Sequence, residues 1–283
     1  MSDVFRLPTP QEVGAFYDET NELIARFQGG NMHYGYWTGP DDDSDFVVAG
    51  QRLTDIVIGK LGVKPGERVL DVGCGPGKPG VHLAKTTGAE VVGISISARD
   101  VELANERAAA EGVADRARFE HADATAMPFG PESFDAVLLL ESIVHMPDRA
   151  QVLGEVSRVL KAGGRAVLTD FVRRGEHIEV DKETQEAVAA ALWAWRAAPM
   201  VRAEEYPGFA EQAGLILDEV EDITAQTMYT YPRTYVAMAE YAKTHEDLPA
   251  DLRRILEMGL DDDWEVDASH VSEGVLIVTL HRP

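Results

Sequence analysis

A glycine-rich turn after a short apolar run carries the clearest chemical signal in this chain of 283 residues. The segment 69–77 reads VLDVGCGPG, with glycine at the alternate positions 73, 75 and 77. Glycine adopts positive φ and lets a ligand approach the backbone with no Cβ in the way. The turn is predicted at the carboxyl end of a buried strand, where open α/β sheets bind their ligands. Asp71 can accept a hydrogen bond there from a ligand or from the turn.

Two other interpretations of this turn stay open. Residues 75–80 read GPGKPG, which matches the G-x-G-x-x-G pattern of dinucleotide-binding oxidoreductases. Such domains place an acidic residue after the second strand, whereas here that strand ends as GISIS at 93–97 and no Tyr-Lys pair for hydride transfer follows. The turn can also be purely structural. A nucleophilic role for Cys74, the one cysteine, is not favoured because its neighbours supply no base.

The predicted elements around the turn alternate between strands and helices. Five short apolar segments are predicted strands: 68–72, 90–96, 118–121, 134–140 and 165–171. Helices fit between them, for example at 98–111 with Ser97 as its cap. This alternation predicts βαβ units and a parallel sheet with helices on both faces.

Further elements precede and follow this region. The sequence TPQE at 9–12 is a capping box with proline at the first helical position, and it predicts a helix that ends at Gly29 and Gly30. A second helix is predicted at 48–61. Beyond residue 171 the chain predicts four elements: helices at 179–197 and 231–258, and strands at 215–223 and 274–280.

Composition limits the possible partners. The chain has 26 Lys and Arg against 49 Asp and Glu, a formal net charge of −23, which argues against a nucleic-acid binder. We expect no secretion signal and no membrane span, because no apolar run approaches about 20 residues. The single cysteine favours a cytoplasmic location. The aspartate runs 41–43 and 261–263 are interpreted as solvated loops, and no metal site is predicted.

Several motifs, in order, carry a family resemblance. The D-x-G-x-G-x-G turn resembles the first motif of class I S-adenosylmethionine-dependent methyltransferases. HADATAMPF at 121–129 resembles the family's adenine-binding segment, and LKAGGR at 160–165 its turn before the fifth strand. NMHYGYW at 31–37, GISIS and ESIVHMPDR at 141–149 resemble actinobacterial natural-product O-methyltransferases, the group of the rebeccamycin sugar O-methyltransferase.

The resemblance implies an α/β fold with a Rossmann-like class I methyltransferase sheet of seven strands, the last one antiparallel, and a helical lid. It divides the chain into an N-terminal helical cap at 1–62, a cofactor-binding core at 63–172, and a lid insertion with the final strands at 173–283.

The resemblance also implies S-adenosylmethionine as cofactor and a set of residues that bind it: Tyr17, His33, Asp71, Gly73, Gly75, Ser95, Ile96, Asp100, Asp123, Ala124 and Leu140. The two glycines and the Leu140 carbonyl would hold the methionine part, Tyr17 and His33 would close over its carboxylate, and Asp123 with Ala124 would hold the adenine. Asp100 stands where relatives carry a ribose-binding glutamine. Helix capping by Asp100 and plain packing of Tyr17 and His33 are the alternatives.

The resemblance places the chemistry at His145, interpreted as a general base that takes a hydroxyl proton during in-line methyl transfer. Asp170 is expected to orient its imidazole. Relatives often carry two adjacent histidines here, and this chain has Val144 in place of one of them. His33 is the reserve base, and a structural role in capping and packing is the alternative for His145.

The acceptor is expected to be a large, mostly apolar natural product with a hydroxyl group, bound under the lid. The expectation rests on large apolar side chains in the N-terminal stretch and the insertion: Phe27, Met32, Tyr34, Tyr36, Trp37, Leu192, Trp193, Trp195, Met200, Tyr206, Phe209, Met228, Tyr229 and Tyr231. Arg196 and Arg202 could instead clamp a small carboxylate substrate such as sarcosine. N- or C-methylation, and a reaction without transfer such as a cycloaddition, remain alternatives. The oligomeric state is open, with a homodimer as one option.

Overall fold

The computed structural model describes residues 5–174, 182–230, 232–233 and 273–283, and positions 241, 243, 245, 248, 250 and 253. Its helices are α1 (Pro10–Phe27), α2 (Phe46–Leu61), α3 (Lys78–Thr87), α4 (Ala98–Ala110), α5 (Arg149–Val159), α6 (Lys182–Ala194), α7 (Tyr206–Ala213) and α8 (Thr224–Thr227). Its strands are β1 (Arg68–Val72), β2 (Glu90–Ser95), β3 (Ala117–His121), β4 (Phe134–Leu139), β5 (Leu160–Arg173), β6 (Ile216–Asp222) and β7 (Glu273–His281).

The described strands form one seven-stranded sheet in the order β3-β2-β1-β4-β5-β7-β6. Strands β1 to β5 pair in parallel, and β7 runs antiparallel between β5 and β6. This is the predicted fold class, including the antiparallel last strand. In the parallel part, the carboxyl ends of β1, β2 and β4 meet at one edge of the sheet.

The helix boundaries follow local capping chemistry. The capping box of α1 is present: the Thr9 hydroxyl accepts from the Glu12 N–H at 3.3 Å, and the Glu12 carboxylate accepts from the Thr9 N–H at 3.0 Å. Helix α2 begins two residues before the predicted start, because the Asp45 carboxylate accepts from the Val48 N–H at 2.9 Å. Side-chain acceptors at these positions satisfy N–H groups that the helix leaves free.

Apolar clusters cover both faces of the sheet. One includes Val137 and Leu168, and the other includes Val69 and Leu138. Helix α2 buries its Leu53, Val57 and Leu61 completely in the second cluster. The second helix of the predicted cap therefore packs as part of the core, while the domain boundaries at 62 and 172 stay predictions.

In the C-terminal third, the sequence predictions can be compared with the structure only at the described residues. The strand predicted at 215–223 is β6 and the last one is β7. Helix α6 ends at Ala194, three residues before the end of the 179–197 prediction, and positions 179–181 lie outside the described residues. Most of the helix predicted at 231–258, Tyr231 and the aspartate run 261–263 lie outside the described residues. Within the described part, no helix is long and apolar enough to cross a membrane.

Candidate active site

The predicted glycine turn joins β1 to α3 and forms one wall of a pocket. Gly73, Gly75 and Gly77 have φ values of 73°, 51° and 80°. A Cβ added to Gly73 would lie 2.2 Å from the Cβ of Ser142, so only glycine fits there. A Cβ added to Gly75 would be in ordinary van der Waals contact with the Met32 side chain, at 3.7 Å. Its positive φ favours glycine, and the missing side chain leaves the backbone open to a ligand.

Asp71, near the end of β1, supplies a buried acceptor to this wall. Its Oδ2 accepts no hydrogen bond from the described residues, and burial raises the pKa of the carboxyl to about 7. A Cβ added to Gly80 would lie 2.7 Å from the same oxygen, so the glycine lets α3 approach it. A buried acceptor without a partner is available to a ligand.

Asp100 lies in the first turn of α4, shortly after β2, and lines the pocket wall. The Ser95 hydroxyl donates to its Oδ2 at 3.2 Å, and the Asn21 amide donates to its Oδ1. The cap of α4 is Ser97, whose hydroxyl accepts from the Asp100 N–H at 3.0 Å. The Asp100 side chain is therefore not the helix cap. Burial raises its pKa to about 6.

The segment after β3 completes this end of the pocket with Asp123 and Ala124. Asp123 Oδ1 accepts from the Thr125 N–H at 2.8 Å and from the Thr125 hydroxyl at 2.7 Å. Ile96 lines the pocket beside them. The structure thus brings the predicted cofactor residues to one pocket, which runs from the glycine turn to this segment.

His145 lies at the opposite wall in a short 3-10 turn, Ile143–His145. Its Nδ1 is 3.0 Å from the Arg196 carbonyl oxygen, and its Nε2 is 2.7 Å from the Tyr17 hydroxyl. A carbonyl can only accept, so Nδ1 carries the proton and Nε2 accepts from Tyr17 when the ring is neutral. Burial lowers the pKa of His145 to about 4, which keeps the ring neutral near pH 7.

Asp170 does not orient this imidazole, so the predicted support of His145 by Asp170 is wrong. Asp170 is fully buried, and both of its oxygens accept from the Arg149 guanidinium at 3.2 Å. The Tyr206 hydroxyl donates to it at 2.8 Å. Arg149 in turn donates to the Met146 carbonyl at 2.6 Å. Asp170 therefore supports the turn that carries His145, not the ring itself.

His33 lines the pocket, but both of its ring nitrogens are already bonded. Nδ1 lies 2.8 Å from the Tyr34 carbonyl oxygen and Nε2 lies 3.0 Å from the Thr54 hydroxyl. Burial lowers its pKa to about 4. Thr54, the partner of Nε2, is not among the residues that line the pocket, whereas Tyr17, the partner of His145, is, and this disfavours His33 as the reserve base.

Comparison with known proteins identifies the family. A family model described as a methyltransferase domain matches residues 63–253. Methyltransferase GfsG from Streptomyces halstedii is 41% identical over 222 residues, covering 78% of this chain and 79% of that protein. The 27-O-demethylrifamycin SV methyltransferase of Amycolatopsis mediterranei is 38% identical over 243 residues, covering 84% and 87%. The chain belongs to the class I S-adenosylmethionine-dependent methyltransferases.

A solved structure agrees with this assignment. The crystal structure of the [4+2]-cyclase SpnF matches with a TM-score of 0.82 and 28% identity, covering 99% of this chain and 98% of that one. The family match and these relatives identify the chain as an S-adenosylmethionine-dependent O-methyltransferase. The interpretation of the glycine turn as a dinucleotide-binding site is therefore wrong. The pocket fits the cofactor, because it combines an open glycine backbone with the partnerless Oδ2 of Asp71.

The predicted aromatic lining of the methyltransferase mostly serves packing. Trp37 is fully buried against Phe46 and Tyr229, and Tyr206 is bonded to Asp170. Trp193 lies between the guanidinium groups of Arg6 and Arg196, at 3.9 and 4.6 Å. Among the described members of that predicted set, only Met32 lines the pocket. The expected clamp of Arg196 and Arg202 does not form within the described pocket wall.

Glu141 is the pocket residue that the sequence analysis missed. It is buried directly after the end of β4, next to Leu140. Its Oε1 accepts from the Tyr34 N–H at 2.9 Å, and burial raises its pKa to about 8. Its position at the carboxyl end of a parallel strand, where such sheets bind ligands, was the available signal.

Proposed function

We propose that the methyltransferase methylates a hydroxyl group on an uncharged natural product of the polyketide, macrolide or glycoside type, with His145 as general base. The relative named for 27-O-demethylrifamycin SV supports this substrate class. The charge of the pocket supports it as well. The described residues that line the pocket include no lysine or arginine to pair with a phosphate or carboxylate. Apolar side chains such as Pro8, Met32 and Met146 line it instead.

Cofactor binding is assigned to the residues that the structure gathers in the pocket. Gly73 and Gly75 let the methionine part approach the backbone, and the Leu140 carbonyl accepts from its ammonium group. The Asp100 carboxylate accepts from the ribose hydroxyls. Asp123 accepts from the adenine amino group.

Proton transfer is assigned to Tyr17 and His145. When bound, S-adenosylmethionine supplies an electrophilic methyl group. The Tyr17 hydroxyl donates to His145 Nε2 at 2.7 Å, which leaves the oxygen of Tyr17 free to accept from the acceptor hydroxyl. As the methyl group leaves the sulfur for the acceptor oxygen, the hydroxyl proton would pass to Tyr17 and the Tyr17 proton would pass to Nε2. The Arg196 carbonyl, 3.0 Å from Nδ1, then stabilises the imidazolium.

The contact between Tyr17 and His145 is the observation that carries the proposal. Its test is methyl transfer from labelled S-adenosylmethionine to a panel of macrolides, ansamycins and glycosylated aromatics, with sarcosine as the small-amine probe. His145→Ala and Tyr17→Phe should each lower kcat about 100-fold or more, the usual contribution of general-base catalysis. Tyr36→Phe, a tyrosine packed in the core outside the pocket, is the matched control.

Two results would contradict the proposal. One is an unchanged kcat in both variants, since the proton would then leave by another route. The other is efficient turnover of sarcosine with no turnover of any hydroxyl compound in the panel.

A reaction without methyl transfer is the second candidate, because SpnF, named as a [4+2]-cyclase, matches the whole chain. Product analysis with and without S-adenosylmethionine separates the two functions. A product that gains a methyl group only with the cofactor supports transfer. A rearranged product of unchanged mass, formed at the same rate without the cofactor, supports the second candidate.

A further inference from the structure

Glu141 combines burial with an unusual backbone conformation in the pocket wall. Its φ of 50° lies in the left-handed region, which non-glycine residues seldom occupy. Two hydrogen bonds hold it: its N–H donates to the Thr169 hydroxyl at 2.7 Å, and its Oε1 accepts from the Tyr34 N–H at 2.9 Å. A conformation of this kind persists only when the surroundings enforce it, and it occurs most often at functional sites.

Glu141 adjoins two groups of residues in the pocket wall. On one side it adjoins Ser142, whose Cβ lies where a Cβ on Gly73 would have to be. Glu141 also lines the same pocket as Tyr17 and His145, and its carboxylate, when ionised, helps to raise the pKa of the Tyr17 hydroxyl. Glu141 is therefore next to both the glycine turn, assigned to the methionine part, and the groups assigned to the acceptor.

No protein cation balances this carboxyl group within the described pocket wall. The other titratable groups of the described wall are Tyr17, His33, Asp71, Cys74, Asp100, Asp123 and His145. Both histidines are neutral near pH 7, because burial lowers each pKa to about 4. Burial raises the pKa of Glu141 to about 8, because ionising a buried carboxyl group without a cationic partner costs free energy.

Two cationic side chains outside the pocket wall lower the pKa of the histidines, Lys78 that of His33 and Arg149 that of His145. Both cations are already hydrogen-bonded. The Lys78 ammonium donates to the Gly29 carbonyl at 2.7 Å. The Arg149 guanidinium is paired with Asp170. A cation supplied by the ligand is therefore the available partner for Glu141.

We propose that Glu141 distinguishes the cofactor from its demethylated product, by facing the sulfonium charge that methyl transfer removes. The inference rests on the proposed assignment of the pocket. In the reaction the bond between sulfur and the methyl carbon breaks and its electron pair stays on sulfur. A bond forms between the acceptor oxygen and the methyl carbon, and the acceptor proton passes to the protein. The sulfur becomes a neutral thioether, so Glu141 attracts the cofactor and no longer attracts the product.

Isothermal titration of S-adenosylmethionine and S-adenosylhomocysteine tests this directly. Glu141→Gln keeps the shape and an acceptor for the Tyr34 N–H but removes the charge. We expect it to weaken S-adenosylmethionine binding about tenfold, or about 1.4 kcal/mol, and to leave S-adenosylhomocysteine affinity unchanged. The matched control is Asp123→Asn, a pocket carboxylate at the adenine end, which should weaken both ligands equally.

Proton release gives a second readout on the unaltered protein. Binding of a cation favours the ionised carboxyl, so below pH 8 S-adenosylmethionine should release a proton from Glu141 that S-adenosylhomocysteine does not. Titrations in buffers with different ionisation enthalpies measure this difference, and it should vanish in Glu141→Gln. Because it is measured on the unaltered protein, the test remains decisive even if the variant fails to fold.

Three outcomes would overturn the inference. Equal proton release with the two ligands would show that Glu141 does not respond to the sulfonium charge. Equal weakening of both ligands by Glu141→Gln would assign the residue to the methionine ammonium, which both ligands carry. Unchanged affinities with a large loss of kcat would make Glu141 a proton acceptor. If Asp123→Asn leaves both affinities unchanged while Glu141→Gln behaves as expected, the adenine assignment fails and the inference on Glu141 stands.

Discussion

Asp170→Asn should destabilise the methyltransferase and leave the kcat of the folded protein largely unchanged. In the structure, Asp170 is fully buried and accepts two hydrogen bonds from Arg149 and one from the Tyr206 hydroxyl. An asparagine fits the space but carries no charge and offers an NH₂ group to one of these donors. The Arg149 guanidinium, 1% exposed, is then left as an uncompensated buried charge.

The expected loss follows from this environment. Removing one partner of a buried ion pair costs about 3–5 kcal/mol, because the remaining charge stays desolvated. At about 2–4 °C per kcal/mol for a chain of this size, the melting temperature should fall by about 6–20 °C. Urea unfolding followed by circular dichroism measures the free energy of unfolding. The double variant Arg149→Met with Asp170→Leu is the control, and it should be more stable than Asp170→Asn, since it leaves no buried charge.

The activity of folded Asp170→Asn distinguishes the two roles considered for this residue. Because Asp170 does not bond to the imidazole, kcat near pH 7 should stay within about tenfold of the unaltered protein, while the unpaired Arg149 lowers the pKa of His145 further. A stable Asp170→Asn protein with a kcat reduced about 100-fold at pH 7 would refute this reasoning. That result would mean that Asp170 acts on His145 after all.

Four further predictions concern cofactor binding by Gly75 and Asp100, the contact of Trp193 with Arg6, and the pKa of His145. Gly75→Val places a branched side chain at a φ of 51° and should weaken S-adenosylmethionine binding about tenfold or more by calorimetry; unchanged affinity in a folded variant would mean that the site lies elsewhere. Asp100→Ala should raise the cofactor Kd about tenfold, whereas a lower melting temperature with unaltered affinity would assign it a structural role only. Trp193→Ala releases the Arg6 guanidinium and should speed hydrogen exchange in residues 5–9, and equal exchange would contradict that contact. Finally, kcat should fall as the pH drops through about 4, where protonated His145 can no longer accept, and a midpoint near 6.5 would show that burial does not lower its pKa.

The fold was predictable because its signals are local. The capping box at Thr9 and Glu12, the strand before the glycine turn and the alternation of β1 to β5 each depend on residues close in sequence. The antiparallel last strand came from the family resemblance, since apolar residues at 274–280 predict a strand but not its direction. The start of α2 was missed by two residues because its cap, Asp45, belongs to a run of acidic residues that reads as a loop.

The gathering of the strand-end residues in one pocket was easier to predict from the sequence than the contact of Tyr17 with His145. Gly73, Ser95 and Asp123 sit at or just after strand ends, so the parallel sheet places them together once the strands are recognised. The contact of Tyr17, on α1, with His145 joins segments 128 positions apart. Sequence spacing carries no information on such a pairing.

The same limit explains why Asp170 was assigned to the wrong partner. Its position on β5, beside the end of β4, places it near the turn that carries His145. Its oxygens instead accept hydrogen bonds from the buried Arg149 guanidinium, the Tyr206 hydroxyl and the Phe171 N–H. The imidazole is then supported by the Arg196 carbonyl, a backbone group that residue identity does not reveal. A backbone acceptor carries no full charge, so burial dominates the pKa of His145 and holds it near 4. The imidazole therefore stays neutral and able to accept a proton across the physiological pH range, as the role proposed for it requires, whereas a carboxylate partner would raise that pKa.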